Sequence, residues 1–287
     1  MSDRVLVAGA TGFIGAALVA RFARDGVPVV GVSRSAGIDL ADLRQARELG
    51  RCAVIVNAAG RTSVPASCID PRSFRRDNVE VVRSLLELAR RDGAHVVQAS
   101  SYVYGTPRRL PIDESHPLAA HNPYAASKLE AETLCTEHHR ATGLPVTILR
   151  VFNAYGPSQR AGMLVPTIVA GIRAGTIEIA DATPRRDFVH VDDVVDAFAR
   201  AVARRPAGCA AINVGSGRST SVAELVDLAI RASGRAATVR VKHTPRPNEI
   251  ADVVADVRKA GALLGWRPRI ELASGVGALL RASGVAA

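Results

Sequence analysis

Asn122-Pro123-Tyr124-Ala125-Ala126-Ser127-Lys128 sets a phenol and an ammonium four positions apart. Asn122 is a good helix N-cap and Pro123 suits a first helical turn, so Tyr124 and Lys128 fall on one face, a turn apart. A free tyrosine ionises near ~10 and is a poor base at neutral pH. A nearby ammonium favours the phenolate and lowers that value. Tyr124 can then give a proton to a carbonyl oxygen or take one from an alcohol. Ser100, at the end of the strand-like run 95–100, can hydrogen-bond the same oxygen. The bland reading of such a pair is a solvated helix face, so the choice rests on what else the chain brings there.

A glycine turn brings a second kind of chemistry. Gly9-Ala10-Thr11-Gly12-Phe13-Ile14-Gly15 ends the first strand-like run, and a helix begins near Phe13. Glycines let the backbone turn sharply and approach a pyrophosphate, while the helix N-terminus offers free N–H groups and a positive dipole end. Its place after the first strand, with a second strand following within thirty residues, predicts a dinucleotide site rather than an ordinary strand–helix turn. The second strand ends at Ser33, followed by Arg34. NAD-preferring sites usually carry an acidic residue there. A carboxylate would repel a 2′-phosphate and an arginine would pair with it, which favours NADP(H) over NAD(H). The alternative is a solvated arginine in an Arg-rich chain. An oxidised nicotinamide ring near Tyr124 would add its positive charge to that of Lys128, making proton transfer the partner step to hydride transfer. Cys52, Cys68, Cys135 and Cys209 lack any paired spacing, so reduced thiols and no metal site are expected.

The elements that must position these groups show as an alternation. The runs 4–10, 27–32, 53–59, 95–100 and 145–151 are short and rich in Val and Ile, and most are separated by segments with helical spacing such as 78–91. This predicts an α/β fold, a Rossmann-type doubly wound parallel sheet covered on both faces. The pattern loosens after Tyr155-Gly156-Pro157, where three short helix-like runs lie near 164–174, 221–233 and 256–264. We read a dinucleotide-binding domain over 1–155, to which 187–214 returns, and a smaller C-terminal substrate-binding lobe over 156–287. A hydrophobic content of 48% over 287 residues suffices for such a core. No run approaches the ~18 apolar residues of a membrane span, and the chain opens directly on a strand, which predicts a cytoplasmic protein without a membrane partner. The formal charge of +10 raises nucleic-acid binding, but the arginines are dispersed and few aromatic rings are available for stacking. No nucleic-acid partner is expected, and an anionic small substrate fits the charge as well.

The stretches GATGFIG (9–15), SSYVYG (100–105), PYAASK (123–128), LRVFNAYGP (149–157), RDFVHVDDV (186–194) and NVGSG (213–217) occur in this order over nearly the whole chain. They resemble an extended short-chain dehydrogenase/reductase of the NAD(P)-dependent epimerase/dehydratase family. The resemblance implies an enzyme acting on a nucleotide-diphosphate sugar. Gly9, Thr11, Gly12, Phe13, Ile14 and Gly15 would hold the cofactor, with Ser33 and Arg34 at the end of the second strand. Asp39 and Leu40 would sit near the adenine. Ala58, Ala59 and Gly60 would border the nicotinamide-side ribose, Asn78 would support them, and Phe152 would flank the nicotinamide. Ser100, Tyr124 and Lys128 would be the catalytic group, Lys128 also bonding the ribose. Ser101, Tyr102, Asn153, Val165, Arg186 and Arg246 would face the substrate, the two arginines forking its pyrophosphate. Arg186 can instead pair structurally with Asp187 or Asp193. His190 reads as a packing residue. The helices near 78–91 and 123–139 form a dimer bundle in many relatives, which leaves a homodimer open.

Family dehydratases carry Thr-Asp-Glu where Ser100-Ser101-Tyr102 stands here. The acidic pair moves protons during loss of water, so its absence argues against a sugar 4,6-dehydratase, and the missing glutamate at 102 against a decarboxylase. A 4-ketoreductase, using hydride once, is slightly favoured by Ser33 and Arg34. A nucleotide-sugar 4-epimerase, which takes hydride and returns it to the other face, is the alternative. A ketoreductase of a non-sugar ketone and a non-catalytic cofactor-sensing regulator complete the set. The Ser100–Tyr124–Lys128 group speaks against the last.

Overall fold

A computed structural model describes residues 4–244 and 249–286. Six strands, β1 (Val5–Ala8), β2 (Val29–Val32), β3 (Val54–Asn57), β4 (His95–Ser101), β5 (Val146–Val151) and β6 (Cys209–Val214), form one sheet in the order β2-β1-β3-β4-β5-β6. Every pairing within it is parallel. The chain starts at β1, steps outward to β2, then crosses back to β3 on the other side. Ala8 pairs with both Val32 and Asn57, so the carboxyl ends of these three strands finish level. Such a reversal leaves a crevice at the carboxyl ends, which is where doubly wound sheets bind ligands.

Strand alternation sorts the two faces. Val5, Val7, Val54 and Val56 pack with Leu18 and Phe22 of α1 (Phe13–Arg24) and with Val194 and Phe198 of a later helix, Val191–Arg204. Leu6, Ala8 and Ile55 face the opposite way, onto α2 (Val81–Asp92) and α3 (Pro123–Thr142), meeting Leu85, Ala89, Ala131 and Cys135. Both faces are apolar because both are covered. Helix α4 (Leu164–Ala174) starts a further core, α5 (Val191–Arg204) belongs to the first core, α6 (Val222–Ser233) continues the further one, α7 (Arg258–Leu264) joins α5 in the first through Ala260 and Leu264, and α8 (Leu272–Ala282) closes the further core. Ile168, Ile172, Leu225, Ala229, Val276 and Leu280 belong to this core, from α4, α6 and α8.

Several elements were not apparent from the sequence pattern, among them one strand of the main sheet and one helix of the further core. The strand β6, Cys-Ala-Ala-Ile-Asn-Val, opens on small residues and has no β-branched run. The helix α8 contains Gly275 and Gly277, which weaken helical propensity. The helix read over 78–91 begins properly only at Val81, after a π-helical turn at Arg76–Glu80. Among the described residues no helix is long and apolar enough to cross a membrane, no acid, His and Cys cluster is placed to hold a metal ion, and all four cysteines are unpaired.

Candidate active site

The glycine turn is shaped by close approach. Gly9 has φ 78°, and a Cβ on it would lie 2.7 Å from the Cα of Ala59. A Cβ on Gly15 would lie 2.0 Å from the carbonyl oxygen of Gly9. Neither position can take a side chain with this backbone. Gly12 caps α1 without a side-chain acceptor, and the first turn carries no acidic residue, so its N–H groups and positive dipole end face outward unneutralised. A cavity of ≈ 300 Å³ opens beside it. The structure brings Gly9, Thr11, Gly12, Ser33, Arg34, Asp39, Leu40, Ala58, Ala59 and Gly60 together around this cavity. Phe13 and Ile14 instead turn inward against the first core. Asn78 braces the wall from behind: its Oδ1 accepts from the Arg61 N–H at 2.7 Å and its Nδ2 donates to Ser127 Oγ at 2.8 Å. These features fit a dinucleotide, with the pyrophosphate at the helix end.

Arg34 is not the free cation the sequence suggested. Its Nη1 meets Oδ1 of Asp77 at 3.0 Å, while Arg61 Nε meets Oδ2 at 2.7 Å and Arg76 Nη1 adds a third contact at 3.0 Å. Burial pushes the Asp77 carboxyl up, but the Arg61 and Arg34 guanidiniums outweigh it and hold the pKa below the usual range. Arg76 also bonds Asp39, whose Oδ1 accepts from the Ala41 N–H at 3.0 Å. Hydroxyls complete this end: Thr11 and Ser35 lie 2.7 Å apart, and Ser33 and Ser35 3.1 Å. The sequence reading missed Ser35, Arg61 and Asp77. Arg61 directly follows Ala58-Ala59-Gly60 and Asp77 directly precedes Asn78, so adjacency to expected site residues was the available signal.

At the other end stands α3. Asn122 Oδ1 accepts from the Ala125 N–H at 2.8 Å and Pro123 opens the helix. Lys128 is only 5% exposed, and its Nζ donates to the Ala99 carbonyl at 3.2 Å. A Cβ on Gly60 would come within 3.5 Å of that Nζ, so the ammonium adjoins the cavity wall. Burial draws the Lys128 pKa down to about 8, with Glu132 opposing the fall. Tyr124 goes the other way from expectation. Burial pushes its phenol up to about 12, a hydrogen bond from Ser101 pulls back, and Tyr102 adds a smaller upward push. Desolvation is the largest influence on the phenol, and the Lys128 ammonium is directed to the Ala99 carbonyl instead.

Ser100 also differs from expectation. Its hydroxyl donates to Glu132 Oε1 at 2.5 Å, drawn there by a buried carboxylate that needs donors. Ser101, not Ser100, is the strand-end hydroxyl that acts on the Tyr124 phenol. Tyr102 stacks on Phe152, ring centroids 5.3 Å apart and planes inclined at 29°.

Beyond these rings, Asn153 donates its N–H to the Asp187 carbonyl at 3.0 Å, while its side-chain Oδ1 is buried without a hydrogen-bond partner among the described residues. An orphaned acceptor of this kind suits a ligand donor. Val165 is not exposed to such a ligand: its side chain lies in the core formed by α4, α6 and α8. Arg186 pairs with neither Asp187 nor Asp193. Its Nη1 donates to the carbonyls of Arg185 at 2.6 Å and Ile250 at 2.7 Å, and its Nη2 bonds Glu249. Asp187 is taken by the N–H groups of Ser216, Gly217 and Ala255, and Asp193 by those of Arg269 and Ile270. His190 packs edge-on against Tyr155 at 5.3 Å. Arg246 lies outside the described residues.

Residues 5–215 match the model of the NAD dependent epimerase/dehydratase family. A UDP-glucose 4-epimerase of Mycolicibacterium smegmatis is 35% identical over 95% of this chain and 96% of its own. A GDP-6-deoxy-D-mannose reductase of Pseudomonas aeruginosa is 29% identical over 98% and 97%. Two solved structures align along the whole chain. MoeE5 in complex with UDP-glucose and NAD has a TM-score of 0.91 and 32% identity, covering 98% of each chain. RMD from Pseudomonas aeruginosa complexed with NADPH has 0.89 and 28%, again over 98% of each. The chain is an enzyme and belongs to the NAD dependent epimerase/dehydratase family, with the fold of an extended short-chain dehydrogenase/reductase.

Proposed function

We propose that the protein is an NADP(H)-using 4-ketoreductase of a nucleotide-diphosphate sugar. The observation that carries this reading is the placement of Lys128 Nζ at the Gly60 edge of the dinucleotide cavity, a turn from Tyr124 on one helix face. A bound nicotinamide would supply hydride. The chain would supply the rest. Tyr124, with its pKa pushed up to about 12, is a neutral phenol near pH 7 and can hand a proton to a ketone oxygen. Lys128 would offset the charge left behind. Ser101 would orient the hydroxyl. The Tyr102–Phe152 pair would wall the reacting face, and the orphaned Asn153 Oδ1 would accept from the substrate. Arg34 and the Ser33, Ser35 and Thr11 hydroxyls, with no carboxylate at the end of β2, support a 2′-phosphate. We read the core of α4, α6 and α8 as the substrate lobe, with Arg186 at its edge as a pyrophosphate ligand.

A nucleotide-sugar 4-epimerase is the second reading, and the Mycolicibacterium relative supports it. It must begin by removing a proton from an alcohol, which asks for the phenolate. A phenol pushed up by burial suits reduction better. Denaturing the purified protein and identifying what it releases tests the choice. We expect no stoichiometric NAD, and turnover of added NADPH with a nucleotide 4-ketosugar. Stoichiometric NAD, with interconversion of 4-epimers and no net NADPH consumption, would establish the epimerase instead.

A further inference from the structure

Glu132 lies one turn beyond Lys128 on the buried face of α3 and is 5% exposed. Its carboxylate accepts from Ser100 Oγ at 2.5 Å. Arg150 grips it as a fork, Nε at 3.1 and 3.2 Å and Nη2 at 2.6 Å. Arg150 Nη1 donates to the Tyr104 hydroxyl at 3.0 Å, which donates in turn to Asn213 Oδ1 at 2.5 Å. Ser100, Arg150 and Asn213 are register partners across β4, β5 and β6. The carboxylate therefore bonds two strand ends directly and reaches the third through Arg150 and Tyr104, one helical turn from Lys128.

A tie of this kind holds strands, but apolar packing can hold them as well, and a buried ion pair is costly to assemble. The location says more. Lys128 shares its helix face with Tyr124 and Glu132, adjoins the Gly60 edge of the cavity wall that Asn78 also borders, and donates to the Ala99 carbonyl of β4, while Tyr102 acts on Tyr124. Glu132 is the anion whose charge opposes the desolvation of Lys128. Glu132 itself meets Ser100 from β4, Arg150 from β5, Tyr104 behind Arg150, and the thiols of Cys135 and Cys209. Without its charge, the buried Lys128 ammonium would lose the anion that opposes its desolvation and the buried Arg150 its carboxylate partner. Without its acceptor oxygens, the end of β4 that carries Ser101 to Tyr124 would lose its anchor.

We propose that Glu132 is a positioning residue for the reaction, keeping Lys128 an ammonium beside Tyr124 and fixing the Ser100–Ser101 strand end against the Tyr124 hydroxyl. This rests on the Tyr124–Lys128 reading of the site. Glu132→Gln keeps the shape and removes the charge. We expect the alkaline limb of its kcat/KM profile to move to lower pH by about one unit or more, the scale on which a nearby opposite charge shifts a pKa. Its kcat should fall more than its KM changes. The pH midpoint for NADPH binding, followed by fluorescence without turnover, should move in the same direction. Arg150→Gln provides the opposite sign should the first variant not fold: with a cation gone and Glu132 kept, the limb should move to higher pH. Limbs that stay at the wild-type position in the folded variants, with only a lower Tm, overturn the proposal and leave Glu132 a structural tie. If Tyr124→Phe turns over like wild type, the underlying reading fails instead, and the two failures are told apart.

Discussion

Lys128→Met is the sharpest test of how the site is built, because it should make the protein more stable while removing its activity. Burial holds the Lys128 pKa at about 8 in the folded chain, against an ordinary 10.5. At 1.36 kcal/mol per unit this gap corresponds to about 3 kcal/mol of penalty for keeping the charged form folded. The side chain is 5% exposed, so little of that is screened by solvent. Methionine fills a similar volume without the charge, but loses the hydrogen bond to the Ala99 carbonyl, worth about 1–2 kcal/mol. The net expectation at pH 7 is a gain of about 1–2 kcal/mol in urea unfolding. The sign with pH follows from proton counts. Below about pH 8 the lysine is charged in both states and the full penalty applies. From about 8 to 10.5 the folded lysine is neutral while the unfolded one still binds its proton, so wild-type stability rises with pH. Above that the penalty is gone. Groups shared by both proteins cancel in the difference. The variant should therefore lead at pH 7 and lose its lead by pH 10. A variant less stable than wild type at pH 7, or a gap that does not change with pH, would refute a desolvated ammonium at this position.

Tyr124→Phe should lower turnover by about 10²-fold or more, the usual worth of positioned acid–base catalysis, and leave cofactor affinity close to wild type by fluorescence titration. Retention of more than about a hundredth of the rate removes the phenol from the chemistry. Arg34→Ala should weaken NADP(H) by about 10- to 100-fold, the range of one charge-assisted hydrogen bond, and NAD(H) far less; equal losses in calorimetry would end the 2′-phosphate argument. Arg186→Ala should raise the KM for a nucleotide sugar with little change in kcat. An unchanged KM would point to a ketone without a diphosphate.

What could be read from the sequence was local. Valine runs with apolar residues on both faces declare buried parallel strands, and β1 shows why: Val5 and Val7 serve one core, Leu6 and Ala8 the other. The glycine turn was legible because its three glycines fall within seven residues after a strand, and Tyr124 and Lys128 because helix spacing alone puts them on one face. Partner choice was not legible. Arg34 finds Asp77 43 positions away, Ser100 finds Glu132 32 away, and Arg186 finds Glu249 63 away. Charge patterning in a chain with 37 basic and 27 acidic side chains leaves such pairs open until the fold brings segments together. The outcome bears on mechanism as well. Among the described residues, the cationic groups expected to meet a ligand already hold resident partners: Arg34 a carboxylate, Arg186 a carboxylate, Lys128 a carbonyl. A ligand therefore gains only the difference between its own contact and the one it replaces. That difference favours groups with more charge than a carboxylate. A 2′-phosphate at Arg34 and a pyrophosphate at Arg186 meet that condition, while a ribose hydroxyl or a neutral ketone does not. The resident carboxylates would thus act as thresholds, holding the arginines in place and yielding them to phosphate alone. On this argument Asp77→Asn, which weakens the threshold without moving Arg34, should narrow the preference for NADP(H) by letting NAD(H) compete; a preference that widens instead would show the carboxylate to be a mere counter-charge.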